Sequence, residues 1–334
     1  MADLALAMPR YWWVNHKQTV TQERGGNYIW SPKRSRNGRR NPFYEFMREV
    51  APGDVVFSYA HAQVGAIGRA TSFAYDFPKP AEFGKAGENW SDVGWRVDVD
   101  FVALDEPIHP REHIEAIRPL LPEKYSPLSV KGLGQQNLYL TLLSPQLGTL
   151  LEGLAGPNLG LQLLDADRAN EPWTDEAPAA LHEWEEEIEK QIATASSLSE
   201  TERHRLISAR MGQGVFRQRV LERERRCRIT GVERQIHLVA SHCKPWRVAN
   251  NDERLDGENG LALTPSIDHL FDKGFISFED NGRLLISPVA DQSALARMGV
   301  PTGNPFSAGV FSHGQKRYLD YHREMIFKES RVGG

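Results

Sequence analysis

Apolar positions change period several times along this chain, and each change predicts an element. Tyr11, Trp12, Trp13 and Val14 open a strand, and Val55, Val56, Phe57, Ser58 and Tyr59, entered through the turn Pro52-Gly53-Asp54, predict a second. Residues 65–70 and 95–102 continue as strands, the latter with clean alternation of Val97, Val99 and Phe101 against Arg96, Asp98 and Asp100. Between the first two strands, residues 42–50 predict an amphipathic helix with Phe43, Phe46, Met47 and Val50 on one side. Trp12 and Trp13 alternate along one strand, so at most one of them can line a cavity. A compact, curved β-barrel with small helices is the expected form of this half.

The C-terminal third carries a tighter pattern. The run from Ile236 to Ala240 predicts a strand that delivers His242 at its end. A polar loop follows through Pro245, Asn250, Asn251, Asp252 and Glu253 to Asp256-Gly257, and Gly260 to Leu263 predicts a second short strand. A helix then announces both ends: Thr264 suits the N-cap, Pro265 the first helical position, and Gly274 the left-handed residue beyond the last turn. Strand, loop, strand and helix make a ββα unit. A last helix is expected over residues 315–327, with Tyr318, Leu319, His322 and Ile326 as its packing stripe.

At 334 residues the chain is long enough for two domains. The expected division is 1–160, an acidic linker and helix over 161–200, and 201–334. The linker is marked by Pro172 and Pro178 and by Glu183, Glu185, Glu186, Glu187 and Glu189, with its helix expected over 179–195. The net charge of −4 conceals a basic block between Glu200 and Asn250, with twelve Lys or Arg against five Asp or Glu. Such a block is a natural phosphate-binding surface, or else a charged helix salted with Glu222 and Glu224. Two cysteines, Cys227 and Cys243, exclude a four-cysteine zinc site and argue against a disulfide framework. No membrane span and no secretory leader are legible, so a cytoplasmic location is expected, with no nucleotide cofactor.

Within the ββα unit, Asp268 and Asp272 stand four residues apart and lie one above the other on one helix face. Two hard carboxylate ligands so placed can grip one cation, and favour Mg²⁺ or Mn²⁺ over zinc. His242, with an ordinary pKa of about 6.5, is the candidate general base, and Asn259 ties the loop or orients the histidine. At these residues the chain resembles the HNH nucleases of the ββα-metal class. The resemblance falls on His242, Asn259 and the helix bearing Asp268 and Asp272, and extends to CRITG at 227–231, SHCKPW at 241–246, NGLAL at 259–263 and LFDKGFISF at 270–278. It implies metal-dependent hydrolysis of a phosphodiester. Two departures stand out. Ser241 occupies a position where the family often carries an aspartate or histidine ligand, and where the third letter of the motif is usually histidine Asp268 stands at the spacing from Asn259, with His269 next door as the alternative ligand; neighbours on a helix point about 100° apart, so only one of the two is expected to serve. Lys244 and Arg247 are candidates for DNA backbone contact or for loop packing.

The first half is similar, over roughly residues 9–154, to EVE domains of the PUA-like superfamily, which in turn resemble the SRA readers of modified cytosine. The initial YWW strand, the GNYIWSP segment, PGDVVFSY, AIGRA and a Trp before VDVDF carry that likeness. It implies base flipping into a pocket, for which Tyr28, Trp30, Tyr59 and Trp90 are candidate walls and Asn15, Ser31 and Ser58 candidate edge readers. Seven Lys or Arg between Arg24 and Arg48 face Glu45 alone, and Arg34, Arg36, Arg39 and Arg40 are the candidate phosphate holders.

The expected fold is therefore α+β: a PUA-like β-barrel, an acidic helical linker, and a ββα-metal HNH domain. The expected function is restriction of foreign DNA bearing 5-methyl- or 5-hydroxymethylcytosine. A homodimer is expected, because one metal centre cuts one strand. Two alternatives are a reader that does not cut, and an HNH nuclease indifferent to modification.

Overall fold

The computed structural model describes residues 9–35, 38–88, 90–135, 138–156, 215–303 and 305–329, which divide into two compact units, one within 9–156 and one within 215–329. The acidic linker, its helix and Arg36 lie outside these residues.

In the first unit seven strands form one sheet: β1 (Tyr11–Asn15), β2 (Tyr28–Pro32), β3 (Val55–Ala60), β4 (Gln63–Ala70), β5 (Tyr75–Pro78), β6 (Val93–Ile108) and β7 (Leu140–Leu143). The order is β2-β6-β4-β3-β1-β7, with β5 also on β6. Only β1 and β3 run parallel. The 16-residue β6 explains the curl, because residues 93–98 pair with β2 and β5 whereas 99–108 pair with β4. The sheet ends at β2 and β7 with no ladder joining them among the described residues, so the expected barrel is an open, half-barrel sheet.

Both faces of β1 are covered, and the pleat sorts its aromatics. Tyr11 and Trp13 pack with Phe57, Tyr59 and Leu147, whereas Trp12 and Val14 pack with Met47, Val56 and Trp95. Both tryptophans are therefore core. Short helices flank the sheet: α1 (Val20–Gly25), α2 (Pro42–Glu45), α3 (Ile114–Ile117) and α4 (Pro145–Ala155). The helix expected over 42–50 is shorter than its pattern suggests. Capped by Asn41, it gives way at Phe46–Glu49 to a 3₁₀ turn that buries Phe46, Met47 and Arg48.

The second unit begins with α5 (Val215–Arg223) and continues through β8 (Val239–His242), α6 (Asn251–Leu255), β9 (Gly260–Leu263) and α7 (Pro265–Asp272) to β10 (Ile276–Phe278), β11 (Leu284–Ile286), α8 (Gln292–Arg297) and α9 (His313–Met325). β8 and β9 pair antiparallel, and α7 buries Ile267, Leu270 and Phe271 in the common core. Thr264 occupies the N-cap position without a side-chain capping bond, Pro265 follows, and Gly274 takes φ +73° where a Cβ would meet the Ile326 carbonyl at 2.1 Å.

Three expectations need correction here. The strand expected from Ile236 starts only at Val239, since Gln235–His237 forms a 3₁₀ turn that leaves Ile236 85% exposed. The polar loop contains structure of its own, the 3₁₀ turn Trp246–Val248 and α6, which Asn250 and Glu253 close with a capping box. The last helix starts two residues early, at His313, because Ser312 and Gln315 form a second capping box. Cys227 and Cys243 are free and buried. No described helix is long and apolar enough to cross a membrane.

Candidate functional site

His242 is the last residue of β8 and lies opposite Gly260 of β9. A Cβ at Gly260 would come within 2.4 Å of Val220 and 2.7 Å of Phe216, so only glycine lets α5 descend onto the ladder. The Phe216 ring then stacks on the imidazole, with centroids 3.6 Å apart and planes 6° from parallel. Nε2 lies 3.2 Å from the Arg254 carbonyl oxygen. A carbonyl can only accept, so Nε2 carries the proton and Nδ1 keeps its lone pair. Burial pushes the His242 pKa down to about 4, the nearby Arg254 guanidinium adds to the effect, and the hydrogen bond to the Arg254 carbonyl opposes it. The ring is thus neutral at physiological pH, the state a general base requires.

This has a measurable consequence for stability. With the folded pKa depressed below the unfolded value of about 6.5, the contribution of neutral His242 is present above pH 6.5 and is lost as pH falls toward 4. Denaturant unfolding of the second unit should lose about 2 kcal/mol between pH 7 and pH 5 from this group. His242→Phe, which keeps the stack, should remove that component; an unchanged pH dependence would place the titration elsewhere.

The loop behind the histidine is pinned by Asn259, which is fully buried. Its Oδ1 accepts from Lys244 N at 2.8 Å, and its Nδ2 donates to the carbonyls of Lys244 at 3.1 Å and Glu253 at 2.9 Å. One carboxamide thereby fixes the backbone two residues beyond His242 and the residue before its acceptor Arg254. The side-chain oxygen and amide of Asn259 are thus engaged inside the protein. Arg254 is held in turn, its Nε donating to the Trp246 carbonyl at 2.9 Å and its guanidinium lying 4.4 Å from the Trp246 ring centroid. Lys244 pairs with Glu253 and lies over Tyr321, so it packs the loop. Arg247 is half-buried nearby.

Asp268 of α7 accepts a hydrogen bond from the Ser241 hydroxyl, which places it against the strand that carries His242. Burial raises its pKa, Asp272 beside it adds to the rise, and Ser241 and His269 oppose it. Asp272 is exposed and His269 half-buried. Among the described residues no three His, Cys, Asp or Glu side chains converge as a metal-ligand group. The donor set is one or two carboxylates beside a hydroxyl. That fits a hard cation such as Mg²⁺ or Mn²⁺, which keeps several of its waters, and does not fit a closed tetrahedral zinc site.

The sequence profile of the HNH endonuclease family matches residues 227–279, from Cys227 through Glu279. This stretch is an HNH endonuclease domain. Phe216 precedes the match and sequence reasoning missed it; in the structure the close approach at Gly260 brings its ring onto the histidine. The basic run that leads into the HNH domain is partly consumed in holding it together. Arg217 donates to the Leu238 and Gln235 carbonyls, Arg219 to that of Leu255, and Arg228 pairs with Glu224. Arg225 and Arg226 remain exposed and present charge to solvent.

The first unit holds a cleft of about 540 Å³, within the range of small-ligand sites. Of the expected pocket residues, Trp30, Trp90 and Asn15 line it. The Trp30 and Trp90 rings meet at 5.9 Å and 40°, too close and too tilted to sandwich a base, so they form one corner. Tyr28, Ser31 and Tyr59 are not among its lining residues. Tyr28 is buried against Phe83 and donates to Glu82, Ser31 bonds the Tyr44 carbonyl, and Tyr59 packs on Trp13. Ser58 accepts from Arg24 at 2.7 Å. His16, Tyr44 and Tyr139 also line the cleft, and sequence reasoning missed all three, since neither periodicity nor composition distinguishes them from core. The nearby basic cluster is also thinner than its sequence suggests. Arg24, Lys33 and Arg48 are engaged with Ser58, Asp76 and Glu45, and Arg40, though exposed, lies 3.8 Å from Glu45; Arg39 is exposed and Arg34 half-buried.

No curated protein sequence matches the chain. Solved structures similar to part of it include a hypothetical protein from Leishmania major (14% identity, 44% of this chain and 94% of that one, TM-score 0.31). A Pseudomonas putida protein (14%, 44% and 99%, 0.30) and human THYN1 protein in complex with DNA containing 5-methylcytosine (14%, 44% and 98%, 0.29) are two more. Likenesses of this strength leave the chemistry of the cleft to be read from its own side chains.

Proposed function

We propose that the chain is a metal-dependent DNA endonuclease that captures an everted modified cytosine, 5-methyl or 5-hydroxymethyl, in the cleft of its first unit and cuts nearby with its HNH domain. One observation carries the nuclease reading: within the matched stretch, the His242 ring is neutral, stacked and oriented by a backbone carbonyl, so Nδ1 offers a lone pair to an attacking water. Asp268 and Asp272, with His269 as the alternative, would hold Mg²⁺ or Mn²⁺, which when bound supplies stabilisation of charge on the phosphate and leaving oxygen. Asn259 keeps His242 and the Arg254 carbonyl in register. Arg225, Arg226, Arg39 and Arg40 are the exposed charges suited to the DNA backbone. Scission of both strands calls for two copies on one duplex.

The corner of Trp30 and Trp90 supports the modified-base reading, since it offers aromatic surface beside the buried polar groups of Asn15 and His16. The test is one duplex made with cytosine, 5-methylcytosine or 5-hydroxymethylcytosine and incubated with and without Mg²⁺. Cleavage of the modified duplexes alone, and only with metal, is expected. Equal cleavage of all three would remove the modified-base reading. Ser241, a hydroxyl in place of a ligand, favours a second reading as a protein that binds modified DNA without cutting. In that case plasmid DNA would shift but not nick.

A further inference from the structure

His16 and Glu23 form a buried pair at the wall of the cleft, each with its side chain fully excluded from solvent. Glu23 gathers four donors: His16 Nδ1 at 2.7 Å, Thr19 Oγ1 at 2.6 Å, the Trp30 backbone N–H at 2.9 Å and the Tyr139 hydroxyl. A carboxylate so surrounded only accepts, so Nδ1 carries the imidazole proton. Among the described residues the opposite nitrogen, Nε2, is buried without a hydrogen-bond partner, although His16 is one of the residues that line the cleft together with Trp30 and Trp90. With Nδ1 donating to Glu23, the tautomer in which Nε2 carries no proton presents a lone pair at that nitrogen. A lone acceptor held rigidly by a four-donor anchor at the edge of an aromatic cleft is costly unless something donates to it.

We infer that His16 is the specificity-determining residue of the cleft, and that its Nε2 accepts a hydrogen bond from the exocyclic amino group of a cytosine-type base. This rests on the reading that the first unit holds an everted modified cytosine. A 4-oxo pyrimidine such as thymine has the same ring and the same 5-methyl group, but turns an acceptor toward Nε2. Two lone pairs then face each other, and a site built to receive an N–H rejects the analogue that lacks it. Glu23 is the positioning residue, because its bond to Nδ1 fixes which nitrogen faces the ligand.

The experiment compares binding of the full-length protein to three duplexes identical but for one position: cytosine paired with guanine, 5-methylcytosine paired with guanine, and thymine mispaired with guanine. The mismatch everts more easily, so a cleft that senses only the methyl group and duplex weakness would favour thymine. The wild-type protein is expected to bind the 5-methylcytosine duplex about tenfold or more tightly than the thymine mismatch. His16→Phe should bring the two within about twofold, and His16→Gln, whose carboxamide oxygen can accept, should keep a preference for 5-methylcytosine. Retained discrimination in a folded His16→Phe protein would overturn the role of His16 alone. Equal wild-type binding of cytosine and 5-methylcytosine would instead overturn the modified-base reading, and the inference with it. Should His16→Phe not fold, the ¹⁵N resonance of Nε2 in the wild-type protein decides. It must move on adding the 5-methylcytosine duplex and stay in place with the thymine mismatch; no movement with the 5-methylcytosine duplex, or equal movement with both, overturns the inference.

Discussion

Replacing His242 with alanine is expected to lower the rate of strand scission by about 10²- to 10⁴-fold, the usual contribution of a positioned general base, while leaving affinity for modified DNA unchanged. The reason lies in how the ring is held. Its Nε2 proton is committed to the Arg254 carbonyl, its face is covered by Phe216, and burial keeps it unprotonated, so its remaining capacity is the Nδ1 lone pair. The substitution also removes the stack on Phe216, and circular dichroism and thermal unfolding must accompany the rate measurement to confirm a folded protein. His242→Gln offers a control that fills more of the space without a group able to take a proton near neutral pH. Single-turnover cleavage at saturating protein separates chemistry from binding, and full activity in either variant would remove His242 as the base.

Asn259→Ala should have the largest effect on stability, about 3–5 kcal/mol in denaturant unfolding. Truncation of this fully buried carboxamide strips partners from Lys244 N–H, from the Lys244 carbonyl and from the Glu253 carbonyl, all partly buried. Each buried group left so costs about 1–3 kcal/mol, offset where the loop opens to solvent. Asn259→Asp distinguishes donation from shape, because a carboxylate can still accept from Lys244 N–H but cannot donate to either carbonyl. It should lose nearly as much as alanine. Cleavage should fall in both variants, since the Arg254 carbonyl that orients His242 lies one residue from the Glu253 anchor. A stability loss under about 1 kcal/mol would mean the loop is held by other contacts.

The ββα unit was legible because its signals are local. Pro265, Gly274 and the spacing of Ile267, Leu270 and Phe271 define α7 without reference to anything distant, and Gly260 to Leu263 form β9 as the pattern requires. Where the sequence misled, the deciding contact was remote. Residues 235–237 have strand-like composition but turn as a 3₁₀ segment, with Arg217 from α5 donating to the Gln235 and Leu238 carbonyls. Of the strands of the first unit, β1, β3, β4 and β6 lie where the pattern expects them and β2, β5 and β7 were not read, and nothing local reveals that β6 changes partners midway, which is what curls the sheet. Aromatic residues were the least informative. Tyr28 and Tyr59 carry the same composition signal as Trp30 and Trp90, and only the packing of Phe83 and Trp13 sends them into the core. His16 and Glu23, seven residues apart, meet because α1 folds back against β2, a pairing that no periodicity encodes.

On the proposed reading, a cation held at the Asp268 carboxylate, against the strand that carries His242, is what allows this chain to cut DNA. The most direct test is a Mn²⁺ titration of single-turnover cleavage of a 5-methylcytosine duplex by the wild-type protein and by Asp268→Asn. The account predicts no cleavage in excess chelator and a half-saturating Mn²⁺ concentration raised by about tenfold or more in the variant. Cleavage that survives chelation, or a titration unchanged by the substitution, would contradict it.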